Sequence, residues 1–333
     1  MARLYTHLVY LVLSFTHILG YMIDDDCGTD TQFVQSKIDS AFRLLAGAVT
    51  ELNRTPVDAN IDNLFDTLFG RRISEAPDSD VLRRMTRLAA ISTLNNNDQT
   101  TPNAHPGGND IIDVRFYCTF KRIKKIGDER YLSKDRNLEY NVEDKVDRFA
   151  GCYDVRPPTL AVTMTFDGQF SEVQICPWFL GQSRGFKLSD LSSLSNQPFV
   201  AFLSRLAIPA VAKLLYTPID SFVLTDKVIA HELTHTDQAS LSDHFSTIDV
   251  GDKPYGFKNA KDMAEKYRSS PTVLNDPMKN ADSNALFAVG AWIISQTGVA
   301  INRDGTFTNP QTNPKTRRGL KIFEWRAGRV QII

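Results

Sequence analysis

The stretch KVIAHELTHTDQ, Lys227 to Gln238, sets two of the chain's six histidines four residues apart, with a glutamate directly after the first. Residues four apart on an α-helix share a face, with Cβ atoms about 5–6 Å apart, so His231 and His235 can meet one ion. Imidazole nitrogens bind Zn2+ at about 2.0–2.1 Å. Glu232 projects beside such an ion and can take a proton from water held there. Val228, Ile229, Ala230 and Leu233 are uncharged residues that would bury the helix's other face, and neither proline nor glycine interrupts Thr225 to Ser240. For this chain's histidine and glutamate content, chance alone gives the pattern in roughly a few sequences per thousand, so the metal reading outweighs coincidence. The pattern is similar to that of the zincin metalloproteases.

Two histidines do not complete a catalytic zinc site, which takes three protein ligands and leaves one position for water. Leu241 stands six residues after His235, where a metzincin would have its third histidine. His244 lies nine residues on and would have to curl back. Glu265 is the one nearby glutamate, but its surroundings, DMAEKY, lack the Asn-Glu-x-x-Ser of gluzincins. Four aspartates remain: Asp237, Asp243, Asp249 and Asp252. Asp237, two residues past His235, faces away on the same helix.

The wider composition sets the class. The 333 residues are 42% hydrophobic and 23% charged, and 38 basic against 39 acidic residues leave a net charge of -1. That is ordinary globular composition, enough for one large domain or two, and it excludes a nucleic-acid partner recruited by bulk charge. The N-terminus departs from it. MARLYTHLVYLVLSFTHILGYM has an early Arg3, an apolar run from Leu8 to Gly20 and no acidic residue before Asp24, the order of a secretory signal peptide over residues 1–20. A membrane anchor over Leu4 to Ile23 is weakened by Thr6, His7, Thr16 and His17, so no stable membrane association is expected. Cys27, Cys118, Cys152 and Cys176 suggest two disulfides in an oxidising compartment; three pairings are possible and spacing does not choose among them. Asn53-Arg54-Thr55 is a glycosylation sequon.

Along the chain, Phe33, Ile38, Phe42, Leu45 and Val49 form one stripe of a helix over Thr31 to Leu52. Asn60 to Gly70 and Asp78 to Leu94 read as two more, the latter with Asp78 or Ser79 as N-cap. Asn95 to Asp110 is all turn residues, and its His105 is expected in solvent. DIIDVRFYCTF, TLAVTMTFDG and SEVQICPWFL then read as strands of a small sheet, with Cys118 and Cys176 inside two of them. The charged segment from Lys121 to Arg148 reads as a surface excursion between strands. Helices return from Leu188 onward, with PFVAFLSRLAIPAVAKLL, the histidine helix and segments from Asn259 and Lys279. Helices, a few strands, then helices predict an α+β, helix-rich fold.

Downstream of the histidines, DVGDKPYGFKNA, Asp249 to Ala260, resembles the second motif of the deuterolysin, or aspzincin, family of secreted metalloendopeptidases. That motif is Gly-Thr-x-Asp-x-x-Tyr-Gly; Asp252, Tyr255 and Gly256 match it, while Asp249-Val250 replaces Gly-Thr. NADSNALFA, Asn280 to Ala288, is similar to the family's Asn-Ala-Asp-Ser-Tyr-Ala helix, with Asn284 in place of tyrosine. LFDTLFG, Leu64 to Gly70, and the cysteines with ICPWF add weaker likeness, and the fungal lysine-specific metalloendopeptidases look nearest. The resemblance implies a signal peptide over 1–20, a zincin-like metalloendopeptidase domain over 24–300 and a C-terminal extension over 301–333 of unassigned role. It implies one catalytic Zn2+ on His231, His235 and Asp252, Glu232 as general base, and Tyr255 aiming its hydroxyl at the oxyanion. Asp282 is expected behind one of the histidines. Cys118 is expected to pair with Cys152 and Cys27 with Cys176. The implied protein is a secreted, extracellular monomer acting on proteins or peptides; its rival is a non-catalytic effector that retains the scaffold.

Overall fold

The computed structural model describes residues 20–75, 79–91, 114–127, 130–134, 138–141, 151–152, 159–165, 171–185, 217, 219–220, 225–240, 247–251, 253–272, 275–308, 323–326 and 329–332. The expected signal peptide up to residue 19, the loop with His105, the helix expected at 198–215, His244 and Asp252 lie outside them.

The apolar stripe of the first helix, α1 (Thr31–Leu52), is buried through Ile38, Phe42 and Leu45. Helix α2 (Ala59–Phe69) begins where the Asp58 carboxylate accepts from the backbone N–H groups of Asn60 at 2.8 Å and Ile61 at 3.3 Å. In α3 (Asp80–Ile91) the cap is Ser79, whose hydroxyl accepts from the Leu82 N–H at 3.2 Å. The remaining helices are α4 (Pro177–Gly185), α5 (Thr225–Thr234), α6 (Phe257–Ser269) and α7 (Ala281–Thr297). Helix α7 is apolar nearly all round and buried from Ala281 to Ala291, as expected of a central helix. It packs on α1, α2 and α5. Phe65 and Phe69 of α2 stack around Phe287 at centroid distances of 5.4 and 5.8 Å. A Cβ at Gly290 would stand 2.5 Å from Leu64 Cδ2, so only glycine lets α2 approach α7 this closely.

The main sheet has the order β1-β2-β7-β6, built from Tyr21–Ile23, Val114–Tyr117, Ser171–Ile175 and Ala161–Met164. β1, β2 and β7 run parallel, while β6 pairs antiparallel with β7 and forms one edge. β1 joins the sheet through residues that read as the end of the apolar N-terminal run, and Tyr21 packs on Phe42 with centroids 5.5 Å apart. The charged excursion is itself a three-stranded antiparallel sheet: β3 (Ile123–Gly127), β4 (Arg130–Ser133) and β5 (Leu138–Asn141). Two small hairpins follow, β8 (Ala300–Ile301) with β9 (Phe307–Thr308), and β10 (Phe323–Arg326) with β11 (Arg329–Ile332). Among the described residues no helix is long and apolar enough to cross a membrane.

The fold is α+β as expected, but the disulfide pairing is not. Cys27 bonds Cys118, and Cys152 bonds Cys176. The reason is topological. Cys118 follows the end of β2 and Cys176 the end of β7, so each closes onto the segment that lies beside its own strand end. The helical segment from Asp25 to Asp30 brings Cys27 to β2, and the Asp26 carboxylate accepts from the N–H groups of Cys118 and Thr119 at 2.9 and 3.0 Å.

Candidate metal centre

Helix α5 carries His231 and Glu232 on its last turn and ends at Thr234, so His235 sits one residue beyond it. Its N–H still bonds the Glu232 carbonyl at 3.0 Å, a tightened final turn that keeps both imidazoles on one side. His235 Nδ1 lies 2.9 Å from the Thr247 carbonyl oxygen, and that oxygen can only accept. The Nδ1 therefore carries the proton, and Nε2 presents a lone pair. His231 is oriented the same way, with Nδ1 3.4 Å from an oxygen of the Asp282 carboxylate. The two Nε2 atoms then face each other at 3.2 Å. Asp249 Oδ1 completes a triangle at 3.5 Å from one and 3.6 Å from the other.

Three donor atoms at these separations could hold a cation between them. A tetrahedral ion with bonds of about 2.0–2.1 Å has ligand–ligand edges of about 3.3–3.4 Å, close to the observed triangle. The donor set, two imidazoles and one carboxylate, suits Zn2+. Metal-free, a proton takes the place of the cation. Burial opposes charge on His231, but Asp249 and Asp282 outweigh it and push its pKa up to about 9. Burial likewise works against the Asp249 charge, yet the two imidazoles hold its carboxyl far below the usual range.

Among the described residues the third donor is Asp249, one of the four aspartates that spacing left open; the resemblance singled out Asp252. Asp252 lies outside the described residues. Asp237 sits in a short 3-10 turn, its N–H bonded to Ser171 Oγ at 3.0 Å, and takes no part in the triangle. Glu265 is at the surface of α6, within 4.0 Å of Lys261. The other group of metal-type donors among the described residues, Asp26 with Cys27 and Cys118, has both sulfurs joined in a disulfide.

Glu232 is buried beside the triangle. Thr163 Oγ1, on the edge strand β6, lies 2.7 Å from its Oε2 and 3.0 Å from its backbone carbonyl. Tyr255 stands at the mouth, 54% exposed, with its ring centroid 5.7 Å from that of His231 and its hydroxyl donating to Asp249 Oδ2 at 2.7 Å. Asp282 is fully buried at the first turn of α7, and its Oδ2 accepts from the Gly256 N–H at 2.7 Å. Gly256 has φ 91, a backbone state that glycine adopts freely, and there the chain turns from the Tyr255 loop into α6. Asn284 is also buried. Its amide donates to the carbonyls of Met278 and Asn280 at 3.0 and 2.8 Å and its oxygen accepts from Arg84 at 3.2 Å, so this departure from the family motif is occupied in closing the start of α7. Asn53 is exposed just past α1, its side chain bonded to the Val49 carbonyl at 3.0 Å.

Sequence reasoning missed Thr163, Thr247 and Lys227. Each acts through a partner far along the chain, and single-residue periodicity carries no such signal. Comparisons of the chain with protein-family models, with curated proteins and with solved structures found no match.

Proposed function

We propose that the chain is a secreted zinc-dependent endopeptidase of the aspzincin type, with His231, His235 and Asp249 holding the ion. The observation that carries this is the convergence of three metal-type donors with a buried glutamate on the same helical turn. Zn2+ bound there would supply Lewis acidity and bring the pKa of a water toward neutrality. Glu232, aimed by Thr163, would serve as the general base that takes a proton from water and passes it to the leaving amine. Tyr255 lies at the mouth, where its hydroxyl can turn to a developing oxyanion; such donors typically contribute a few kcal/mol. β6 pairs with β7 along one side. Its other side runs past Glu232 and offers backbone groups to an extended peptide, so cleavage would depend on main chain more than on side chains. Two disulfides accord with an oxidising, extracellular setting.

Casein digestion by the purified protein tests the reading, with chelator and with Glu232→Gln as controls. Cleavage abolished by both supports it. Zinc bound without cleavage by the wild-type chain would instead indicate a binding protein built on the same scaffold.

A further inference from the structure

Lys227 lies one helical turn before His231 and is buried, with a side-chain exposure of 11%. Its ammonium ion-pairs with Asp282 Oδ1, the oxygen that also lies 3.4 Å from His231 Nδ1. A buried lysine is uncommon without a dedicated partner, and here the partner is the carboxylate behind a metal-type histidine. Asp282 in turn holds the Gly256 N–H, next to Tyr255, whose hydroxyl reaches Asp249. One closed circuit of polar contacts therefore joins both sides of the centre, and Lys227 supplies its ammonium group. The side chain of the adjacent Asp226 turns elsewhere, accepting from Ser40 of α1 at 2.8 Å.

Charge explains why a lysine belongs there. The Asp249, Glu232 and Asp282 carboxyl groups are crowded around the triangle, and Lys227 places an ammonium against one of them. Without the lysine the metal-free cluster would hold its carboxyl groups with one cation fewer, which is costly in a low-dielectric interior.

From this arrangement we infer that Lys227 is a built-in counter-ion of the metal centre: its ion pair holds Asp282 in place behind His231 when the ion is absent, and as a like charge it weakens cation binding. Lys227 is a positioning residue, and its role rests on the metal reading above. Two expectations follow that ordinary packing does not produce. Lys227→Met, close in shape and uncharged, should lower the melting temperature of the chelated protein, yet bind Zn2+ about tenfold tighter because a like charge has gone. Asp282→Asn should bind Zn2+ about 10–100-fold more weakly.

The experiment is Zn2+ affinity by competition with a chromophoric chelator, run with thermal melts of the metal-free proteins. Tighter binding by Lys227→Met supports the inference; unchanged or weaker binding by a folded Lys227→Met overturns it and leaves the metal site standing. A wild-type chain that binds no Zn2+ overturns both. If Lys227→Met does not fold, the double variant Lys227→Met/Asp282→Asn decides. Recovery of a cooperative melt supports charge compensation, and failure to recover overturns it.

Discussion

The triangle of His231, His235 and Asp249 makes the identity of the third donor a single-residue question. Asp249→Asn should weaken Zn2+ binding by more than about a hundredfold, while Asp252→Asn should leave it within a few-fold; metal content after dialysis checks both. The reverse result would restore the ligand implied by motif resemblance. Thr163→Val removes the hydroxyl that aims Glu232. A hydrogen bond to a charged group contributes about 1.5–3 kcal/mol, so kcat is expected to fall about tenfold or more with zinc content unchanged. At this scale the sequence was informative where chemistry is local. His231, Glu232 and His235 lie within five residues and share one helical turn, so spacing alone groups them. Asp249 stands on a loop with no periodicity, and its placement depends on the bridge from Ile248 to Asn280, with the Val250 N–H on Asn280 Oδ1 at 3.1 Å.

Among the elements, helices were legible and short strands were less so. The Thr31 to Leu52 helix has the bounds its apolar stripe predicts, because a 22-residue amphipathic helix states its period several times over. α3 begins at Asp80, since Ser79 takes the capping role that the sequence left between it and Asp78. A strand of three to five residues states its period barely once. β1 was hidden in an apolar run, β3 to β5 in a charged segment, and PWFL, which reads as strand, opens α4. Proline at a first helical position explains the last: it lacks an N–H that would be unbonded there anyway. Contact between α2 and α7 supplies a test of packing. Gly290→Ala gains helix propensity of about 1 kcal/mol. It also forces a methyl against Leu64 and Ile301, at 2.5 and 3.0 Å, and overpacking costs about 1–3 kcal/mol. A net loss of about 1 kcal/mol in denaturant melts is expected, and a more stable variant would show that α2 can move away.

For the whole molecule, the disulfides define which parts are held together. Cys27–Cys118 closes a separation of 91 residues and Cys152–Cys176 one of 24. By loop-closure entropy the first contributes about 4.5 kcal/mol and the second about 3.5 kcal/mol. Paired serine replacements should rank in that order in thermal melts, and a non-reduced digest should return these two linkages. The sequence could not choose among three pairings, because the choice depends on β2 and β7 being neighbours although more than 50 residues separate them. Both bridges sit at the corresponding ends of those two strands. On the proposed reading, thiol treatment should uncouple two capacities: cation binding, anchored among helices, persists, and the firm rail for an extended polypeptide is lost.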